Sequence, residues 1–174
     1  MNLELSGKTA LLVGGNGTLG RACANVLREE GAVPVIADLK IDQEAGYDSI
    51  VMDVTQLPSV QQAVERVIEK HGRLDILVTL AGIYQGGPVS GISPEEWRDV
   101  LEVNLTGTFL VCREVLPLMQ RQGFGLIICF ASLAGQLAGA VAGANYSASK
   151  AGVLSLVKSL AKQSAKPQIT VNAI

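Results

Sequence analysis

Five residues carry the sharpest chemical signal in this chain. Tyr146-Ser147-Ala148-Ser149-Lys150 sets a phenol and an ammonium four positions apart at the start of a long apolar segment with helical spacing. Positions i and i+4 share one face of a helix, so the two groups can meet. A phenol exchanges protons poorly near neutral pH because its reference pKa is about 10, but a cation held beside it favours the phenolate. The pair is suited to acid-base work at a substrate oxygen. Y-x-x-x-K recurs by chance, so its meaning rests on what the rest of the chain brings to it.

A possible partner for that chemistry lies near the other end. Thr9 to Val13 is a short apolar run without polar alternation, as a parallel strand covered on both faces would be. It leads into Gly14-Gly15-Asn16-Gly17-Thr18-Leu19-Gly20, after which Leu19, Ala22, Cys23, Val26 and Leu27 follow helical spacing as far as Gly31. Strand, glycine turn and helix together make Gly15-x-Gly17-x-x-Gly20 a dinucleotide-binding fingerprint. Glycines let the backbone turn tightly and approach a pyrophosphate, and the helix N-terminus offers free N–H groups at a positive dipole end. Gly14, Asn16, Gly17, Thr18, Leu19 and Gly20 are the candidate phosphate-side residues. Asp38, eighteen residues beyond Gly20, ends a second apolar run at Val33 to Ala37. A carboxylate there would bind an adenosine ribose 2′-OH and repel a 2′-phosphate. With no Arg or Lys in the turn, NAD(H) is favoured, and Lys40 nearby keeps NADP(H) possible. Asp53, after a third run at Ser49 to Met52, reads as a cofactor contact or as a plain turn residue.

The remaining elements continue the alternation. Val60 to Ile68 has helical spacing and closes at His71-Gly72, where His71 is read as a C-terminal capping residue; Asp75 to Thr79 is the next apolar strand. Ser93-Pro94-Glu95-Glu96 is a strong helix start, with Ser as N-cap and Pro at the first helical position. That helix is expected to reach about Gln122, with an irregularity near Asn104 and a bend or interruption at Pro117, and with Trp97 anchoring it to the body. Gly125 to Ala131 reads as a fifth strand, Gly135 to Asn145 as a loop of small residues before the Tyr146 helix, and Gln168 to Ile174 as a sixth strand. This order predicts an α/β fold of three layers, a doubly wound and mainly parallel sheet in one domain spanning 1–174.

Composition narrows the alternatives. The chain has 174 residues, is 48% hydrophobic and carries a formal net charge of −2, which gives no basic footprint for nucleic acid. Cys23, Cys112 and Cys129 are scattered in apolar runs and read as buried free thiols. No His, Cys and carboxylate spacing suggests a metal site. The N-terminus lacks a signal-peptide pattern and no apolar run is long enough to span a bilayer, so the expected location is cytoplasmic, without a membrane partner.

Taken in order, the glycine turn, Asp53-Val54, Leu80-Ala81-Gly82, Asn104, Ser132 and Tyr146-x-x-x-Lys150 make the chain resemble the short-chain dehydrogenase/reductase family. The likeness is to the branch of 3-oxoacyl-carrier-protein reductases and many sugar-alcohol and hydroxysteroid dehydrogenases. The resemblance implies a Rossmann fold, NAD (NADP possible) as cofactor, and hydride transfer to or from a small-molecule secondary alcohol or ketone. It implies that Tyr146 is the general acid/base, that Lys150 lowers its pKa and binds the nicotinamide ribose, that Ser132 hydrogen-bonds the substrate oxygen and that Asn104 supports a relay water. Asp53, Val54, Ala81 and Gly82 would add cofactor contacts, and the full-length form would be a homodimer or homotetramer.

The chain also departs from the family pattern. Val13 replaces a Thr, Thr18 a Gly, and Thr79 and Leu80 the two Asn of Asn-Asn-Ala-Gly; Ser132 lies fourteen residues before Tyr146, one more than usual. The ending at Ile174 precedes the family's last helix and edge strand, which reads as truncation. These departures keep a second function open, a non-catalytic nucleotide-binding or assembly module. The glycine spacing alone suggests a third, an extended-branch epimerase or dehydratase.

Overall fold

A computed structural model of the chain describes residues 3–41, 46–138, 142–164 and 168–174. The elements run β1 (Thr9–Val13), α1 (Thr18–Glu29), β2 (Val33–Asp38), β3 (Asp48–Val51), α2 (Leu57–His71), β4 (Ile76–Thr79) and α3 (Pro94–Leu101). A π-helical segment (Glu102–Thr106) joins α3 to α4 (Gly107–Gln122), followed by β5 (Gly125–Cys129), α5 (Ala134–Leu137), α6 (Ala144–Gln163) and β6 (Ile169–Ala173). All six strands are parallel, in the order β3-β2-β1-β4-β5-β6. The order reverses between β1 and β4, which opens a crevice at their carboxyl ends.

The unbroken apolar runs have the expected cause: every residue of β1 and β4 is buried, because both sheet faces are used. On one face Leu11, Val13, Val35 and Leu77 pack with residues of α2, α4 and α6, including Val64, Val111 and Val153. On the other, Ala10, Leu12, Ile36 and Val78 pack with Ala24, Cys23 and Leu27 of α1. Beside α1 this second face carries an open apolar groove of about 360 Å3, lined by residues including Val26, Ile76, Val78 and Phe130. At the amino end of the sheet, the fully buried Asp75 accepts a hydrogen bond from Thr9 N at 3.0 Å and pairs with Arg73 at 2.7 and 2.6 Å. This carboxylate ties β1 to the start of β4.

Several boundaries differ from the sequence expectation. The Ser93 capping box is formed, with Glu96 N donating to Ser93 Oγ at 3.1 Å and Ser93 N to Glu96 Oε2 at 2.8 Å. The irregularity at Asn104 is the π segment. Pro117 does not interrupt α4, since its ring sits on an exposed part of a helix held by buried neighbours. Trp97 is 39% exposed and is no anchor; Val100 is the buried residue of α3. β5 stops at Cys129, although Phe130 N and Ala131 N still donate to Thr79 O and Ile174 O at 3.0 and 2.7 Å. The small-residue loop contains α5, while 139–141 lie outside the described residues. Gly72, at φ 74°, is the C-cap of α2 and His71 is not. His71 Nε2 instead meets Asp48 Oδ2 at 2.8 Å, with Lys70 on the other oxygen at 2.8 Å. Burial raises the Asp48 pKa, but Lys70 and His71 outweigh it and hold the carboxyl below its ordinary range.

Among the described residues no helix is long and apolar enough to cross a membrane, and no group of His, Cys, Asp and Glu could hold a metal ion.

Candidate active site

The carboxyl ends of the strands surround a cleft of about 490 Å3, within the range of small-molecule and cofactor sites. Of the sequence-derived cofactor residues, Gly14, Asn16, Gly17, Asp38, Asp53, Val54, Ala81 and Gly82 line it. Thr18, Leu19 and Gly20 are not among its lining residues; they form the first turn of α1. Arg21 N to Gly17 O, at 2.9 Å, is the first α-helical bond, so the amides of these three residues precede the helical ladder.

Two glycines show how the turn is built. A Cβ on Gly20 would lie 2.5 Å from Gly15 Cα, so this glycine is required for α1 to pack on the turn. A Cβ on Gly17 would meet nothing closer than Gly14 O at 3.6 Å. Packing therefore does not demand glycine at 17, and its bare backbone leaves room in front of the α1 N-terminus. That room suits a phosphate approaching the helix end. Asp38 is drawn into the same corner: its Oδ2 accepts from Asn16 N at 3.0 Å and its Oδ1 from Leu39 N at 2.8 Å. The Asn16 side-chain amide donates to Lys40 O, and Arg21 Nε donates to Asn16 O at 2.9 Å. A cation thus reaches the glycine turn from a position just beyond it. Asp53 Oδ1 accepts from Thr55 N and Thr55 Oγ1 at 2.9 and 2.7 Å, so this oxygen fastens a turn at the cleft wall.

The acid-base corner is reached across Gly82. A Cβ there would stand 3.2 Å from Asn104 Oδ1 and 3.8 Å from Lys150 Nζ. Lys150 is only 6% exposed and donates to Phe130 O at 2.7 Å; burial pushes its pKa below the ordinary lysine value, with Cys129 pulling the other way. Its Nζ lies 5.8 Å from the centroid of the Tyr146 ring, so both groups share the face that their spacing predicts. Tyr84 meets Tyr146 edge to face at 5.0 Å. Ser132 Oγ accepts from Ala134 N at 3.1 Å, which sets the start of α5. A Cβ on Gly135 would lie 2.7 Å from Ala151 N and Lys150 C, so α5 is seated directly on the Lys150 turn of α6.

Asn104 is fully buried and committed on both sides of its amide. Oδ1 accepts from Ile83 N at 2.8 Å, and Nδ2 donates to Ile83 O at 3.0 Å and Ser149 Oγ at 3.1 Å. It locks the segment after β4 to α6. A second lock was missed in the sequence. Asn145 Oδ1 accepts from Tyr146 N at 2.8 Å while its Nδ2 donates to Gln85 Oε1 at 3.0 Å, and Gly143 N donates to Gln85 O at 3.1 Å. The available signal was an Asn immediately before Tyr146 in a stretch of otherwise small residues.

The strand order and the cleft at its reversal define a doubly wound, Rossmann-like α/β domain. More narrowly, the chain belongs to the short chain dehydrogenase family, whose sequence model matches residues 8–174. It is similar to the 3-oxoacyl-[acyl-carrier-protein] reductase of Thermotoga maritima, 34% identical over 144 residues, which cover 76% of this chain and 58% of the relative. It is also similar to the D-threitol dehydrogenase of Mycolicibacterium smegmatis, 35% identical over 145 residues, 76% of this chain and 55% of the relative. Among solved structures, NAD+-bound xylitol dehydrogenase superposes with a TM-score of 0.92 at 31% identity, covering 98% of this chain and 70% of that one. The chain thus matches little more than half the length of these curated relatives.

Proposed function

We propose that the protein is an oxidoreductase that interconverts a secondary alcohol and a ketone with NAD(H). The reading rests on one observation: a cleft lined by the glycine turn and Asp38 leads, across Gly82, to Lys150 and Tyr146. A nicotinamide dinucleotide bound there would supply or take up the hydride at the carbinol carbon. The protein's share is binding, orientation and the proton. The backbone amides of Thr18 to Gly20 would face the pyrophosphate, and the Asp38 carboxylate would accept from ribose hydroxyls. Tyr146 passes the proton at the substrate oxygen as general acid in reduction and general base in oxidation. Ser132 donates to that oxygen, and the Lys150 ammonium stabilises the phenolate while reaching a ribose hydroxyl. Asn104 holds the floor of the site through Ile83 and Ser149.

Asp38 favours NAD(H) because its carboxylate would repel a 2′-phosphate, while Arg21 and Lys40 keep NADP(H) open as the second choice. Calorimetry with NADH and NADPH decides between them: tighter NADH binding, with the preference weakened in Asp38→Asn, is expected. Tyr146→Phe is expected to lower turnover by about 10²–10⁴-fold while nucleotide affinity stays nearly unchanged. Retention of most turnover by that variant would overturn the assignment. Nucleotide binding without turnover of any alcohol or ketone in a broad panel would instead favour a binding module.

A further inference from the structure

Two buried thiols take no part in the chemistry above, yet they adjoin it. Cys112 of α4 and Cys129 at the end of β5 are both fully buried, with their sulfurs 3.8 Å apart. Thr79 stands opposite Cys129 in the β4–β5 register. Its hydroxyl is buried and makes no hydrogen bond of ordinary geometry among the described residues, the Cys129 sulfur being the polar group it adjoins. A buried polar group so weakly paired costs stability, and a thiolate at Cys129 would give it a full acceptor. The next residue, Phe130, supplies the carbonyl that holds Lys150.

We propose that Cys112 and Cys129 form a redox pair inside the core, closed to a disulfide by hydrogen peroxide, and that closure weakens the hold on Lys150. Position supports an order of events. Cys129 stands opposite Thr79 in the β4–β5 register and directly precedes the residue whose carbonyl holds Lys150, so a hydroxyl and a cation lie on its side of the pair. Both favour a thiolate at Cys129, in the direction in which its pKa is lowered, while burial raises that of Cys112. Cys129 is the attacking sulfur and Cys112 the resolving one. The Cys129 thiolate attacks a peroxide oxygen, the O–O bond breaks, and the departing hydroxide takes a proton to leave as water. Cys112 then attacks the Cys129 sulfenic sulfur while losing its own proton; the S–S bond forms, the S–O bond breaks, and a second water leaves. Two thiols have lost two electrons in total, and the peroxide has been reduced to two waters.

The consequence for Lys150 follows from adjacency. A disulfide holds its sulfurs far closer than 3.8 Å, so the end of β5 must shift or both side chains must rotate. Phe130 follows Cys129 directly, so a shift of Cys129 is passed to the carbonyl that holds Lys150.

The test treats the folded chain with hydrogen peroxide, quenches, unfolds, alkylates the remaining thiols with N-ethylmaleimide and maps the peptides by mass spectrometry. A peptide linking Cys112 to Cys129 is expected. In Cys112→Ser, which lacks the resolving thiol, dimedone is expected to trap sulfenic acid at Cys129. Lys150, labelled in parallel with an amine-acylating reagent, should react several-fold faster after oxidation of the parent chain but not of Cys112→Ser. If both thiols remain alkylatable at a peroxide dose that oxidises Cys23, the pair only packs the core and the proposal fails. If the disulfide forms but Lys150 labelling is unchanged, the coupling is refuted. No readout requires turnover, so these outcomes are separate from the fate of the dehydrogenase reading.

Discussion

Lys150 carries a charge into the interior with one backbone carbonyl as its hydrogen-bond acceptor among the described residues, Phe130 O at 2.7 Å, and burial depresses its pKa from the ordinary 10.5. A base with a depressed folded-state pKa binds fewer protons folded than unfolded between those two values. Stability contributed by this residue should therefore rise as pH climbs through its folded pKa toward 10.5. Urea midpoints measured from neutral to alkaline pH should show that rise relative to Lys150→Met, and parallel curves would contradict it. Asp75 tests the opposite end of the sheet, far from any chemistry. Asp75→Ala strips Thr9 N of its acceptor in a buried setting and should cost about 2 kcal/mol in urea denaturation. A change of a few tenths would mean that the tie between β1 and β4 is not needed.

At the level of elements, the site depends on where helices are interrupted or pressed together. The π segment adds a residue to the path between α3 and α4, and each residue turns a helix by about 100°, so Asn104 faces inward while α4 keeps its apolar stripe on the sheet. Gly135→Ala is the sharpest probe of the α5 seat, because the added methyl would stand 2.7 Å from the backbone of α6. Lifting α5 displaces Ser132, so kcat should fall by roughly 10²-fold while the nucleotide dissociation constant holds. An unchanged kcat would place Ser132 outside the reaction. Much of this level was readable beforehand. The strands announced themselves as apolar runs, the second and third ending at Asp38 and Asp53, and Ser93 marked its helix through local capping chemistry. The partners of His71, Asn104 and Asn145 were not readable, nor was the Cys112–Cys129 contact. Each depends on a residue remote in sequence, as with Asn104 and Ser149 at a separation of 45, and no local periodicity encodes such meetings. Trp97 misled for the same reason, since its size suggests burial but its helix face is set by the neighbours of Val100.

For the molecule as a whole, the central seam is the pairing of β1 with β4, which aligns Ala10 with Ile76 and Leu12 with Val78. The segments it joins are far apart along the chain; the Thr9–Asp75 bond at its foot spans 66 residues. The crevice opens where this seam ends, and its walls come from both sides of it. Parallel pairing over such a separation must close a long loop before any contact rewards it, so it belongs to the slow part of folding. Helices should therefore gather before the crevice exists. In refolding from urea, far-ultraviolet circular dichroism should recover in an early phase, while the capacity to enhance NADH fluorescence should appear only with the slowest one. Simultaneous recovery would mean that the seam is not the late event. With the expected delay, the nucleotide serves as a clock for the closing of the sheet.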